Sequence, residues 1–200
     1  GVGETALAAV NIAMPFVNFI FAISMLFSTG ASTIISIYIG KNNIKKANEI
    51  FSFNLFCMLT ISLLITLLCL LNIDRISLFL GATENTFDLV KDYLKIIISF
   101  NGFFIISYCL EVLTKADGYP YLAIVGMIIS ALTNIILDFL FVIILDFGIK
   151  GAAYATIISQ GVSFIFFLSH FMSKKSKLTL TKFEFKVKYL KRILRSEEHT

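Results

Sequence analysis

Asp138 is the only charged residue in an apolar run that extends from about Tyr121 to Leu145. Asn134 stands four residues earlier, so in a helix both side chains share one face. A carboxylate and an amide together can offer oxygens to a cation, or take up and release a proton. The bland alternative is a carboxylate that pairs with a neighbouring helix. A charge at the centre of a membrane-spanning helix costs at least about 2.5 kcal/mol, so either reading turns Asp138 towards protein or water and away from lipid. Glu111 lies in a second apolar run with Lys115 four residues on, a spacing suited to an ion pair near the membrane boundary. Asn101 and Gly102 mark a polar, locally bent site higher in that run. Thr156, Ser159 and Gln160 occur in a third run, where hydroxyl and amide groups serve helix packing or face a ligand. Pro15 removes one helical hydrogen bond and permits a kink. Asn18, Ser28, Thr29, Gly30, Ser32 and Thr33 form a small polar stripe below it, for close packing or for lining a cavity. His170 sits at the end of its run, in the position of an interfacial histidine.

The elements that carry these residues are set by hydropathy. Hydrophobic residues make up 58% of the 200 residues and charged ones 15%, against about 25% charged in a soluble domain. Five apolar stretches are long enough for the ~20 helical residues that cross ~30 Å of hydrocarbon. Span A runs from about Asn11 to Ile39, B from Ile50 to Leu71, C from Tyr93 to Thr114, D from Tyr121 to Leu145 and E from Ala152 to Met172. Lipid leaves no water to satisfy the backbone, and no alternating strand pattern occurs, so the expected fold is all-α, a polytopic transmembrane bundle. Thirteen of the seventeen Lys and Arg lie in the A–B link, the C–D link and the stretch after span E. Cytoplasmic segments carry the Lys/Arg excess, which places those three regions inside and the B–C loop and D–E turn outside.

The expected organisation is residues 1–172 as five membrane helices and 173–194 as a basic cytoplasmic linker. The linker interleaves Phe183, Phe185, Val187 and Tyr189 with its cations, a pattern read as contact with anionic lipid headgroups and not with nucleic acid. It is expected to end in a short amphipathic helix that leads to a further span. Gly1 and the missing signal peptide are read as a start partway through a longer protein. The sequence at 195–200, RSEEHT, is read as derived from a sequencing adapter.

Several chemistries find no residues. Cys57, Cys69 and Cys109 lie in apolar runs without metal or disulfide spacing. Gly148, Gly151 and Gly161 fit a tight turn and close packing, not a phosphate cradle. No nucleophile triad, His-Glu-x-x-His motif or ATP-binding loop is present, so an enzyme is not expected and no cofactor is implied.

Several stretches together resemble the multidrug and toxic compound extrusion (MATE) family. They are ALAAVNIAMP at 6–15, STGAST at 28–33 with Ile39-Gly40-Lys41, KADGYP at 115–120, ALTNIILD at 131–138 and GIKGAAYATIISQ at 148–160. The resemblance implies helices two to six of one six-helix lobe in a twelve-helix transporter, with a first helix and a C-terminal lobe supplied elsewhere in the protein. It implies secondary active efflux of small organic cations in antiport with Na⁺ or H⁺ across a bacterial cytoplasmic membrane. Asp138 and Asn134 would be the cation pair of the lobe, with Thr156 as a hydroxyl contributor. Pro15, Asn101, Glu111 and Gln160 would serve the cavity or its gating. Lys115 departs from the arginine frequent at that turn. Two rivals stay open, a lipid-linked oligosaccharide flippase of the same superfamily and a non-transporting membrane scaffold. The flippase would line its cavity with cations to meet phosphate, whereas the charges here are acidic.

Overall fold

The computed structural model describes residues 3–196; residues 197–200, most of the RSEEHT tail, lie outside it. The helices are α1 (Glu4–Gly40), α2 (Ile44–Leu71), α3 (Ile73–Phe79), α4 (Phe87–Ser99), α5 (Asn101–Ala116), α6 (Pro120–Asp138), α7 (Gly148–Phe171) and α8 (Val187–Ser196). Among the described residues no strand occurs. α1, α2, α7 and α6 with the segment after it are each long and apolar enough to span a membrane; α4 and α5, bent by 52°, pass together as a fifth. The bundle is therefore an integral membrane fold with the expected spans, and its departures from straight helices are local.

The boundaries follow from capping chemistry. α1 continues unbroken through Pro15, which is exposed, and ends where Asn42 adopts φ 57°. The Asn43 side chain then accepts the Lys46 N–H at 3.1 Å and starts α2. Gly118, at φ 99°, turns the chain so that Pro120 can open α6, where its missing N–H costs nothing.

Span C is two helices because of Asn101. Its Nδ2 donates to the Ile98 carbonyl at 2.6 Å and to Thr66 Oγ1 at 2.8 Å; the Thr66 hydroxyl in turn donates to Ile98 O at 3.1 Å. Two side chains thus occupy a carbonyl that a continuous helix would use internally, and the helix breaks at Phe100. Gly102 lets this break seat on α2, since a Cβ there would lie 3.0 Å from Ser62 Oγ.

Span D also departs from a regular helix. Its α-helical hydrogen bonding ends at Asp138, and Phe139–Ile144 continues as a π-helix. The wider turn leaves the Phe141 carbonyl free to accept the Phe147 N–H at 2.8 Å, and Gly151 packs against that same carbonyl. Asp146 at φ 52° and Gly148 at φ 56° complete the reversal into α7.

α1 lies at the centre, packed on α2, α4, α5 and α8, with Ala9, Ala13, Ile20, Ala31 and Ile34 fully buried. α6 is peripheral and rests on α5 and α7; its buried residues are Ala123 and Gly126, while Leu132, Ile135 and Ile136 are more than half exposed. Gly126 sets its closest approach: a Cβ there would overlap the Phe167 ring and come within 3.0 Å of Phe166. Gly126→Leu is expected to destabilise the protein by about 1–3 kcal/mol, the usual cost of overpacking. A thermal unfolding midpoint in detergent equal to that of the wild type would show that α6 does not seat on Phe167.

The chain after α7 does not float free. Residues 173–186 form an extended strap whose backbone is held by side chains of the bundle. Asp117 Oδ1 accepts the N–H groups of Lys177 (2.9 Å) and Leu178 (3.2 Å), while Oδ2 meets His170 Nε2 at 2.8 Å. Asn48 accepts the Thr179 N–H at 3.0 Å and Ser52 the Thr181 N–H at 2.9 Å. Phe183 and Phe185 pack on Phe53. The expected amphipathic helix, α8, then docks on α1 and on the first turn of α2: Arg192 donates to Tyr38 at 2.8 Å and Gly30 admits the Ile193 backbone, while Lys46 Nζ on α2 donates to the Tyr189 hydroxyl.

Candidate functional site

Three helices present the same spacing to one cavity. α5 contributes Phe104, Ser107, Tyr108 and Glu111; α6 contributes Met127, Ser130, Ala131 and Asn134; α7 contributes Thr156, Ser159, Gln160 and Ser163. Each set is i, i+3, i+4, i+7, one face of an α-helix. α1 closes the space with Phe21. The cavity is about 420 Å³ and its polar side is made of hydroxyl and amide groups and the Glu111 carboxylate. Its aromatic side is ordered, with Phe21 edge-on to Tyr108 at 4.7 Å and to Phe104 at 6.5 Å.

Of the residues singled out from sequence, Asn134, Thr156, Ser159, Gln160 and Glu111 meet here. Glu111 also forms the expected ion pair, with Lys115 Nζ at 2.9 Å; the Glu111 side chain is 15% exposed and the Lys115 side chain 46%. The lysine thus sits at the rim while the carboxylate reaches into the lining.

Asp138 is one turn beyond Asn134 on the same face of α6, half-buried at the point where the α-helix ends. Tyr93, buried on α4, lies near Thr156 on α7 and Asp138 on α6. Asp138 forms no ion pair and accepts no hydrogen bond among the described residues. Thr156 donates to the Ala152 carbonyl at 3.0 Å, which leaves its oxygen lone pairs available. A carboxylate, an amide, a threonine hydroxyl and a phenol therefore gather on α4, α6 and α7, an oxygen-rich set suited to a hard monovalent cation or a proton. Among the described residues no three His, Cys, Asp or Glu converge as a transition-metal site.

Other residues singled out from sequence are placed elsewhere. Asn101 is fully buried between α5 and α2 and locks the helix break; it does not line the cavity. Pro15 is exposed on α1, away from the cavity lining. The small polar stripe of α1 serves packing: Ser28 is fully buried, Thr33 donates to the Thr29 carbonyl at 3.0 Å, and Gly30 receives α8. His170 is not an open interfacial group but is 7% exposed against Asp117 and Tyr119. Sequence reasoning did not single out Tyr93, Ser107, Tyr108, Ser130 and Ser163 as site residues. The repeated i, i+3, i+4, i+7 pattern was the available signal for four of them.

A bundle of membrane-spanning helices with an open cavity of polar and apolar walls between them defines a polytopic membrane protein of transporter type. The sequence model of the family described as MatE matches residues 1–140, and the chain belongs to that family. It is 30% identical over 174 residues to the multidrug export protein MepA of Staphylococcus aureus (strain bovine RF122 / ET3-1), a match that covers 87% of this chain and 39% of that protein. The fold superposes on the inward-facing conformation of a multidrug resistance MATE family transporter of the MOP superfamily with TM-score 0.92 at 26% identity, covering 97% of this chain and 45% of that one. The outward-facing conformation gives TM-score 0.91 at 27% identity, covering 98% and 44%. The chain thus spans less than half the length of these relatives, and corresponds to one lobe of the transporter fold.

Proposed function

We propose that the chain supplies one lobe of a secondary multidrug exporter that moves small organic cations out of a bacterial cell in exchange for inward Na⁺ or H⁺. The observation that carries this reading is the grouping of Asp138, Asn134, Thr156 and Tyr93 beside a cavity that combines polar and aromatic walls. The oxygens suit the coupling ion. The rings of Phe21, Phe104 and Tyr108 suit a cationic, partly aromatic solute through their electron-rich faces. In this reading a preceding helix and a second lobe complete the transport path, and the inner ends of the spans face the bacterial cytoplasm. Coupling requires that ion and drug prefer different arrangements of the protein. The lobe superposes about equally well on inward- and outward-facing relatives, which supports exchange between those arrangements by movement of a whole lobe.

The test uses the full-length protein that carries this chain, reconstituted in vesicles loaded with a fluorescent cationic dye. Separately imposed Na⁺ and pH gradients are expected to drive dye movement in at least one case. Dye flux indifferent to both gradients would remove the antiport reading.

A further inference from the structure

A second, composite recess lies on the face of α7 opposite the cavity, beside the α4–α5 break. Its apolar part, about 340 Å³, is lined by Phe100, Phe103, Tyr154, Ile158, Gly161 and Ile165. Its polar part, about 310 Å³, is lined by Asp92, Lys95, Ser99 and Lys150, and shares Phe100 and Tyr154 with the first. The two are therefore one continuous recess with a charged head and a hydrocarbon groove. Neither part includes a residue of the cavity described above.

The groove is open by construction. A Cβ at Gly161 would meet nothing within 4 Å, so the surface of α7 is hollow there. Phe100 and Phe103 stand nearly parallel beside it, at 6.5 Å and 10°. From Tyr154 to Ile165 the groove follows α7 for about 16 Å at 1.5 Å per residue, close to the depth of one leaflet of a ~30 Å hydrocarbon core. The head carries net positive charge. Lys150 pairs with Asp92 at 3.0 Å and is 54% exposed, whereas Lys95 is exposed and forms no ion pair among the described residues. Ser99 donates its hydroxyl proton to the Lys95 carbonyl at 2.7 Å and adds a further oxygen to the rim.

We propose that this recess binds an anionic phospholipid, with the phosphodiester at Lys95 and Lys150 beside the Tyr154 hydroxyl and one acyl chain along α7 over Gly161. The two halves specify the occupant jointly. A soluble phosphate compound would use only the head, and a neutral lipid or detergent only the groove. A phosphodiester carries a single negative charge, which matches the excess of one cation at the rim. The recess touches both sides of the α4–α5 break, so a lipid seated there contacts α4, α5 and α7 at once.

The test is native mass spectrometry of the full-length protein released from nanodiscs that contain equal amounts of phosphatidylglycerol and phosphatidylcholine. Preferential retention of phosphatidylglycerol is expected. Lys95→Gln and Lys150→Gln are each expected to reduce that preference by about fivefold, as for a basic group near an anionic headgroup surface. Gly161→Trp fills the groove and is expected to lower retention of both lipids. Thermal midpoints measured in phosphatidylcholine alone separate these effects from loss of fold, and Lys95→Gln alters an exposed side chain. Equal retention of the two lipids, a preference untouched by both lysine variants, or displacement of the lipid by millimolar inorganic phosphate would overturn the proposal.

Discussion

Asp138→Asn is expected to cut gradient-driven dye export sharply while leaving the unfolding midpoint of the protein in detergent unchanged. The substitution keeps the shape of the side chain and removes its charge. No ion pair is broken among the described residues, because the carboxylate has none, so the fold loses little. Under the proposed antiport, what is lost is the preference of a cation or proton for the state in which Asp138 lies near Thr156 and Tyr93. Coupling free energies of this kind are typically about 1–3 kcal/mol, equivalent to about 5–150-fold in affinity. Dye flux driven by the coupling gradient should fall by that order, whereas dye binding in the absence of a gradient should change far less. Wild-type flux in Asp138→Asn would remove this carboxylate from the coupling step and leave the scaffold reading in its place.

Asp117→Ala is expected to destabilise the protein more than Gly126→Leu does. It removes the partner of a buried histidine and the acceptor of two backbone N–H groups at once. Leaving a buried polar group without its partner costs about 1–3 kcal/mol, and here one substitution strips the His170 nitrogen and two backbone N–H groups together. The strap should also loosen, so trypsin should gain access at Lys174, Lys175 and Lys177 under conditions in which the wild type is resistant. Asp117→Asn keeps an oxygen for the Lys177 and Leu178 amides and is expected to cost less, which separates these hydrogen bonds from the contact with His170. A wild-type melting midpoint and an uncut strap in Asp117→Ala would show that Asn48, Ser52 and the phenylalanine contacts hold the segment alone.

The five spans were legible because twenty apolar residues have few uses outside a bilayer, and the bend in span C was marked by Asn101-Gly102. The site was half legible. Asn134, Asp138, Glu111 and Gln160 stand out as polar groups in apolar runs. Serine does not, because it packs helices together as readily as it lines a cavity, so Ser107, Ser130 and Ser163 carried no signal one at a time. Tyr93 reads as a span boundary from sequence, and only the fold brings it to Thr156. Asp117 was missed for a different reason. An acidic residue just before a glycine, in the link between two spans, reads as a solvated turn, and its partners are 53, 60 and 61 residues away. Asn101 shows the converse. Its polarity was correctly read as unusual, but its amide donors are spent on the backbone of its own helix and on Thr66, and its burial between α5 and α2 keeps it out of the cavity lining.

The locked elbow between α4 and α5 has a mechanical meaning. Because Asn101 pins the Ile98 carbonyl and Gly102 rests on Ser62, the two arms cannot straighten independently of α2. The pair then behaves as a bell crank: a push at Tyr93 on the upper arm is delivered as a swing of the lower arm that carries Tyr108 and Glu111. The phenol of Tyr93 and the cavity wall of Tyr108 and Glu111 are two ends of one lever, joined without a flexible joint between them.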